Sequence, residues 1–486
     1  MGAIKPVVIG LLLSLLYVPS TYLYSVLSFH LHPPPAPFST PSFTSDSSFP
    51  SSTSLRSKTL HSPPSTPYYD RLAFCEDAIT YRLKDGREVG IVSCDPTRWE
   101  WNTVMGTLIN PKAGKGALWL IDPIESEVKR IKLEWKELEE DQVEFHPLGI
   151  DLYSSPNDVD HLFAINHQAN ESTIEVFDLE CTDETTDCTA RHFRTLSDPS
   201  FTGAPNSIAL TSSTSFYLSH DHRFTLRNPT RLQKFLNSLE TIFALPLSYV
   251  DHVSFSLSPN HLNVSRAVSN IAFANGIALS PSGQTLVAAS TTTRTVHYHS
   301  RNVSTDEISP KPYRSVNLPF LVDNLSISPR DFFSPSNSSN RIKNPKHSSL
   351  LSNISDSFVL VATGHPSFPS LLSTAHRKPL SLLPLLKYFS FVPSSLTEPL
   401  ENFMKRWSFD WRETRGLSWT VSIGGPRGDG KEWENLFRSS GKGEEGFGSS
   451  STSVMGKSWE GQGERERRWM IVVGLYEEGV RVVVED

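Results

Sequence analysis

Short segments in which apolar and polar residues alternate recur from about residue 69 to the end of the chain. A period of two is typical of strands with one buried face, and the bounding Gly, Pro, Asn and Asp residues favour turns. The predicted strands are 88–94, 117–121, 162–166, 172–177, 207–210, 215–218, 286–289, 295–299, 358–362, 469–473 and 480–484. Residues 231–243 instead have apolar positions at helical spacing and predict an amphipathic helix.

The number and spacing of the strands predict an all-β protein. The length of the folded part then distinguishes a sandwich from a propeller. Residues 69–486 are too many for one sandwich and fit six four-stranded blades of about 40 to 50 residues each, plus loops. Residues 275–281 and 323–329 resemble each other, because each has a polar residue before an alternating strand that stops at Ser-Pro. Residues 205–210 are a weaker third copy. We therefore predict a six-bladed β-propeller with a central calcium site.

The first 68 residues predict segments outside this fold. An apolar run over 7–18 follows Lys5 and has the size of a signal-peptide core, so residues 1–31 are predicted to be a signal peptide or a retained membrane anchor. Residues 32–68 are rich in Pro and Ser and predict a disordered linker. Within the propeller at 69–486, low-complexity insertions are predicted at about 329–356, 368–405 and 424–466.

The predicted signal implies the secretory pathway, and the product is secreted or anchored to a membrane by the apolar segment. Sequons agree with that location, and the predicted glycosylation sites are Asn170, Asn263, Asn302, Asn337 and Asn353. Cys181 and Cys188 would close a small acidic loop as a disulfide in an oxidising compartment. A net charge of −7 without a basic stripe argues against nucleic acid as a partner.

Polar residues before matching strands suggest chemistry at the propeller axis, where the innermost strands of all blades begin. The candidate ligands are Glu76, Asn206, Asn275, Asp323 and Asn324. Oxygen-only ligands suit a hard cation such as Ca²⁺, which accepts neutral amide oxygens. The alternative is that these residues only form turns, since Asn-Gly and Asp-Asn are strong turn formers.

Several motifs occur in the order found in the serum paraoxonase/arylesterase family, which the chain resembles over about residues 70–366. They are Glu76-Asp77, Gly149-Ile150, Asn166-His167, residues 172–177, Pro205-Asn206, Phe216-Tyr217, Asp221-His222, residues 273–277, residues 321–324 and residues 364–366. The resemblance implies a six-bladed calcium propeller that hydrolyses esters and lactones.

Carried over by position, the resemblance implies that the five candidate ligands bind the catalytic calcium. Asp77 matches a ligand of a second, structural calcium, but Ser207 stands where the family has another acidic residue, which puts the second ion in doubt. His167 matches one member of a histidine pair that deprotonates water. Leu148 stands at the other position, and His146, two residues away on the same face of a strand, is the predicted substitute. The alternative is that a metal-bound carboxylate or another histidine acts as the base.

Asp221, His222 and His365 match further motif positions near the channel mouth and are predicted to line the pocket. The leading hypothesis is a calcium-dependent arylesterase or lactonase that acts on a small-molecule ester or lactone. Two alternatives stay open: a non-catalytic calcium propeller that binds a partner, and a propeller enzyme of the gluconolactonase or strictosidine-synthase type.

Overall fold

The alternating segments form strands in a computed structural model, which describes residues 55–110, 112, 114–136, 143–154, 159–182, 187–256, 261–329, 358–378, 416–424, 433–441, 446–460 and 465–485. Within these residues the strands, in chain order, are β1 (Leu55–Leu60), β2 (Cys75–Arg82), β3 (Glu88–Cys94), β4 (Trp101–Asn102), β5 (Thr107–Leu108), β6 (Ala117–Asp122), β7 (Glu127–Arg130), β8 (Lys132–Glu134), β9 (Pro147–Tyr153), β10 (Asp160–His167), β11 (Ser172–Cys181), β12 (Cys188–Leu196), β13 (Pro205–Ser212), β14 (Ser215–His220), β15 (Ser248–Ser256), β16 (His261–Ile271), β17 (Ala274–Leu279), β18 (Thr285–Ser290), β19 (Thr295–Ser300), β20 (Arg314–Asn317), β21 (Leu321–Pro329), β22 (Phe358–His365), β23 (Ser418–Ile423), β24 (Trp433–Ser439), β25 (Ser450–Glu460), β26 (Arg465–Gly474) and β27 (Val480–Glu485).

Helices are few among the described residues. Helix α1 (Arg231–Ile242) matches the predicted helix and starts with a capping box between Thr230 and Gln233. Helix α2 (Phe368–Ala375) follows β22, and single 3-10 turns cover Tyr68–Asp70 and Pro199–Thr202. None of these helices combines the length and apolar character needed to span a membrane. Residues 1–54, which hold the predicted signal or anchor, lie outside the described part of the chain.

The described strands form six sheets of four or five strands, besides the β4–β5 hairpin. The innermost strands of the sheets are β2, β9, β13, β17, β21 and β25. Each of them contacts the next, and β25 contacts β2, so they form a closed ring. This arrangement confirms the predicted six-bladed propeller.

Strand alternation explains how the blades pack. In β3, Val89 and Ile91 enter a hydrophobic cluster with the second blade, whereas Val92 and Cys94 enter another with the sixth blade. Successive side chains point to opposite faces of a sheet, so each blade supplies one apolar face to each neighbour. Six clusters of this kind separate the six blades, and together they form the core.

The sixth blade joins the two ends of the described chain. Strand β1 pairs antiparallel with β27, from Leu55 opposite Glu485 to Leu60 opposite Val480. Leu60 is 7% exposed and packs in the cluster between the sixth and first blades. The predicted linker at 32–68 is therefore too long at its carboxyl-terminal end, because residues 55–60 close the propeller ring.

Two predicted insertions also contain parts of the fold. The segment 424–466 includes β24 and β25, and β25 is the innermost strand of the sixth blade. The segment 368–405 begins with helix α2. Strand β25 escaped prediction because it opens with Ser and Thr residues, whose small side chains fit the crowded axis; Ser451 and Thr452 are at most 1% exposed. The third insertion, apart from residue 329, lies outside the described residues.

Candidate functional site

A small cavity on the propeller axis, called here the axial chamber, brings the predicted ligands together. It has a volume of about 40 Å³, enough for an ion with a water molecule. Its polar walls are Glu76, Arg98, Asn102, Asn206, Asn275, Thr291, Asp323 and His365. The fifth predicted ligand, Asn324, bonds to Glu76 through Nδ2 at 2.8 Å. All five predicted ligands are at most 5% exposed.

Local irregularities of the inner strands place these side chains. A β-bulge re-aims side chains and is common beside active sites. In each ligand-bearing strand the register shifts at the ligand, between Cys75 and Asp77, Pro205 and Ile208, Ala274 and Ile277, and Val322 and Leu325. The repeated bulge turns the start of each of these strands toward the axis.

Gly276 allows two ligands to approach each other. A Cβ atom at this position would lie 2.5 Å from Cα of Asn324, so the backbones of β17 and β21 are too close for any other residue. The close approach holds Asn275 beside Asp323, whose Oδ1 accepts a hydrogen bond from Asn275 Nδ2 at 2.7 Å. Asn275-Gly276 therefore does not only form a turn, because it also brings two candidate ligands together.

The oxygen atoms left without partners point to a cation. Buried polar atoms in native proteins are almost always paired, and each exception needs an explanation. Among the five candidate ligands, four buried oxygens lack a protein partner: Glu76 Oε2, Asn206 Oδ1, Asn275 Oδ1 and Asn324 Oδ1. Asn275 and Asn324 use their amide nitrogens on neighbouring carboxylates, which leaves their oxygens available. Such a set of hard oxygens fits Ca²⁺.

Charge at the chamber agrees with this fit. Burial, with smaller contributions from Asp77 and Asp323, raises the pKa of Glu76 well above its ordinary value. A divalent cation would relieve the repulsion between these carboxylates. No group of three or more His, Cys, Asp or Glu side chains with metal-binding placement occurs among the described residues. This does not weigh against the chamber, because three of the five candidate ligands are asparagines.

A wider cleft of about 920 Å³ leads to the chamber. The β4–β5 hairpin and helices α1 and α2 contribute to its walls. The four residues shared by chamber and cleft are all apolar: Val104, Met105, Phe273 and Phe368. A substrate that reaches the chamber through this cleft would pass these apolar side chains, which would help to exclude water.

His222 lies in the cleft wall and binds α1 to the third blade. Its Nε2 contacts the Thr241 hydroxyl at 2.7 Å, and that hydroxyl donates its proton to the Asn237 carbonyl, so Nε2 must be a donor. Its Nδ1 contacts Asp221 Oδ1 at 3.0 Å. Burial lowers the pKa of His222, but attraction to Asp221 outweighs burial and the net shift is upward. The upward shift and the acceptors at both ring nitrogens favour the imidazolium form of His222 beside Asp221.

The imidazolium predicts a pH-dependent stability. A raised folded-state pKa stabilises the protein below the unfolded value of 6.5, and the contribution is lost as the pH rises through the folded-state pKa. We expect His222→Gln to lower the free energy of unfolding by about 1.5–3 kcal/mol at pH 6, the value of a charge-assisted hydrogen bond, and by less at higher pH. Denaturant titrations of both proteins from pH 6 to 9 measure this difference. A difference that does not change with pH would contradict the assignment.

Comparison with known proteins places the chain in a family. A model of the Arylesterase family matches residues 106–349, half of the chain. The chain belongs to this family. Human serum paraoxonase/arylesterase 1 is 26% identical over 220 residues, 45% of this chain and 56% of the relative. Human serum paraoxonase/arylesterase 2 is 28% identical over 189 residues, 39% of this chain and 48% of the relative. The chain thus spans about half the length of the curated relatives it matches.

Solved structures of low similarity include two other proteins. The Pseudomonas aeruginosa periplasmic gluconolactonase PpgL has a TM-score of 0.36 and 10% identity, with coverage of 83% of this chain and 87% of that chain. The luciferin-regenerating enzyme has a TM-score of 0.37 and 10% identity, with coverage of 85% and 93%. At these scores the propeller assignment rests on the strand pairings and the closed ring described above.

Within the arylesterase fold, the predicted general bases have no access to a substrate. His167 Nε2 donates to the Pro205 carbonyl at 2.7 Å, and Nδ1 accepts from the Thr103 hydroxyl. Burial, assisted by Arg227, lowers the pKa of His167 to about 3. His146 pairs with Asp95 at 2.8 Å through Nδ1 and is not among the residues that line the chamber or the cleft.

Protein donors occupy the position predicted for a second calcium. Asp77 Oδ1 accepts from Ala78 N and Thr452 Oγ1, and Oδ2 accepts from Ile150 N, at 2.8, 3.1 and 2.9 Å. Ser207 Oγ accepts from Ile277 N at 3.2 Å. Neither Asp77 oxygen is left unpaired, so no orphaned Asp77 oxygen points to a second cation. These residues instead join neighbouring blades directly.

The remaining predicted positions have varied outcomes. Cys181 bonds to Cys188 as predicted, and Cys75 bonds to Cys94, a pair that was not predicted. The predicted glycosylation sites Asn170, Asn263 and Asn302 are exposed, whereas Asn337 and Asn353 lie outside the described residues. Asn324, although it heads a sequon, is buried. Glycosylation itself stays a prediction.

Sequence reasoning missed Arg98 and Asn102, which line the chamber. Both lie between β3 and β6, in a stretch of mixed composition without periodicity or a motif, and the fold alone brings them to the axis. Asp95 was also missed, although a buried His146 requires a polar partner and that requirement could have prompted a search for a nearby carboxylate.

Proposed function

We propose that the protein is a calcium-dependent hydrolase of aryl esters or lactones, with the catalytic cation in the axial chamber. The observation that carries this proposal is the convergence of four unpaired oxygens, together with Asp323, at the end of an apolar-walled cleft. The names of the arylesterase relatives point to the same chemistry. A bound calcium ion would supply Lewis-acid polarisation of the substrate carbonyl.

His365 is the residue placed to accept a proton from water. It lines the chamber and is 3% exposed. Its Nε2 donates to Asp323 Oδ2 at 2.9 Å, which fixes the tautomer with a lone pair on Nδ1. Nδ1 is buried and has no protein partner. A general base needs such a free lone pair within reach of the water that it activates.

The other walls complete the proposed reaction. Leu148 and Leu371 make part of the chamber apolar, which strengthens electrostatic interactions inside it. The apolar residues shared with the cleft position the uncharged part of an ester or lactone. A water proton passes to His365 Nδ1 as the water oxygen attacks the carbonyl carbon, and the alcohol oxygen leaves with a proton. The predicted secretory location and membrane association remain part of the proposal.

A hydrolysis assay with and without chelator tests the function. We expect the calcium-loaded protein to hydrolyse phenyl acetate or δ-valerolactone and EGTA to abolish this activity. His365→Gln keeps an amide donor for Asp323 but cannot act as a base, so kcat should fall by about 10²–10⁴ while calcium binding is kept. His299→Gln, which replaces a buried histidine on the outer strand β19, is the control and should retain kcat.

One observation favours a second candidate, a non-catalytic calcium-binding propeller. Both His167 nitrogens are hydrogen-bonded and Leu148 cannot accept a proton, so the histidine pair that the family resemblance implies is not available as a base. The same assay separates the candidates. Normal calcium binding without hydrolysis of either substrate would support the second, whereas hydrolysis that survives EGTA would exclude the proposed metal-dependent reaction.

A further inference from the structure

Arg98 is a buried cation in the wall of the axial chamber. Its side chain is 4% exposed and lies in the segment between β3 and β4. Two of its nitrogens hold backbone carbonyls: Nε donates to Phe74 O at 3.0 Å and Nη2 donates to Pro147 O at 3.2 Å. Among the described residues, Nη1 has no hydrogen-bond partner. The guanidinium is thus fixed in place with donor capacity to spare.

The guanidinium also adds a positive charge to the chamber wall that cation binding does not need. Glu76 and Asp323 are the carboxylates of the chamber wall, and the asparagines add none. A divalent cation would balance the two carboxylates, so Arg98 would leave the loaded chamber with one net positive charge. A positive charge beside a cation site weakens cation binding. Asp95, outside the wall, also attracts Arg98, but its oxygens bond to Thr97 and His146, so Nη1 stays open to a negatively charged ligand.

We propose that Arg98 is the anion-binding residue of the chamber and that its ligand is a carboxylate. This inference rests on the proposed hydrolase function. Ester hydrolysis forms a bond from water oxygen to the carbonyl carbon and breaks the bond to the alkoxy oxygen. The carbonyl oxygen becomes an oxyanion, and the acid product then leaves as a carboxylate. Arg98 stays protonated throughout and stabilises both anions through charge-assisted hydrogen bonds.

A structural role alone would have different consequences. The bonds to Phe74 and Pro147 connect the segment before β2 with the start of β9, so removal of Arg98 should lower stability in either case. A purely structural arginine would not affect binding of a carboxylate. Its positive charge would weaken cation binding in either role. Carboxylate binding therefore separates the two roles.

Arg227 offers a matched control. It is a partly buried arginine that likewise donates to a backbone carbonyl, from Nε to Gln168 O at 3.1 Å, and to Ser172 Oγ at 2.8 Å. It is not among the residues that line the chamber or the cleft. Arg227→Met should therefore cost stability without changing the anion site.

The experiment measures acetate and benzoate binding to the calcium-loaded full chain. Thermal shift and competitive inhibition of phenyl acetate hydrolysis give the two readouts. We expect both carboxylates to stabilise the wild-type protein and the Arg227→Met variant. In Arg98→Met the carboxylate-induced shift should disappear and the inhibition constant should rise at least about tenfold, the effect of about 1.4 kcal/mol from a charge-assisted bond. Arg98→Lys keeps the charge, so its carboxylate-induced shift and inhibition constant should lie between those of the wild type and Arg98→Met.

In a calcium titration, the Arg98→Met substitution should have the opposite effect and raise the affinity. Arg98→Met should bind calcium more tightly than the wild type, because the variant lacks a repulsive charge, while kcat falls. Carboxylate binding that is equal in Arg98→Met and wild type would overturn the anion site. Hydrolysis absent from the wild type, with an acetate shift that still depends on Arg98, would overturn the hydrolase function and leave the anion site standing.

Discussion

Asp323→Asn is expected to abolish both calcium binding and hydrolysis. Asp323 accepts from Asn275 Nδ2 through Oδ1 and from His365 Nε2 through Oδ2, so it links a ligand to the proposed base. An amide of equal size removes one of the chamber's two carboxylate charges and leaves one of these donors without an acceptor. Because metal polarisation of a carbonyl is worth several kcal/mol, kcat/KM should fall by at least about a thousandfold.

Calcium-dependent stabilisation provides the second readout for Asp323→Asn. A ligand that binds the native state at 100 times its dissociation constant stabilises by about 2.7 kcal/mol, and this increment should vanish in the variant. Asp251→Asn is the control, since Asp251 is also buried but pairs with Arg266 at 2.6 Å outside the chamber. A variant at position 323 that keeps activity and the calcium-induced shift in melting temperature would refute the site.

A chain that starts at residue 69 is expected to lose stable folding, whereas a chain that starts at residue 55 should keep it. The shorter chain lacks β1, so Val482 and its neighbours in β27 become an unpaired, apolar edge. Burial of Leu60 contributes about 1.5–3 kcal/mol, and the partly buried Leu55 and the backbone pairing of β1 add to it. A whole protein is stable by only about 5–15 kcal/mol.

Calorimetry and size-exclusion chromatography of the two truncated chains test the role of β1. The chain from residue 55 should melt close to the full-length protein. The chain from residue 69 should show a loss on the order of 3–6 kcal/mol, or aggregation through the exposed edge. Equal melting temperatures for the two truncated proteins would show that β1 does not close the ring.

Sequence reasoning predicted the parts of the fold that alternation and turns determine. Strand β3 has the predicted bounds, and α1 ends one residue before its predicted end. Alternation could not reveal β25, because its Ser and Thr residues are selected by the narrow axis rather than by a buried apolar face. Strand β1 was hidden for another reason: its partner β27 lies at the far end of the chain, and a six-residue segment beside a Pro-rich stretch carries little periodicity.

The candidate ligands that precede matching strands in several blades could be predicted from the sequence. The site residues whose position or partners depend on tertiary packing could not. Asn206, Asn275 and Asp323 precede matching strands, and their convergence was expected. The occupied nitrogens of His167 follow from Thr103 and the Pro205 carbonyl, which lie in other blades or loops. Arg98 reaches the chamber from an irregular segment. In each of these cases the deciding neighbour is remote in sequence.

Because the candidate ligands come from several blades, the chamber forms only when the propeller ring is assembled. Glu76 comes from the first blade, Asn206 from the third, Asn275 from the fourth, and Asp323 and Asn324 from the fifth. The bond from Asn324 to Glu76 joins blades that become neighbours across the axis only when the ring is complete. A partly folded chain would present isolated ligands without a chamber, so tight cation binding would distinguish finished propellers from fragments and folding intermediates.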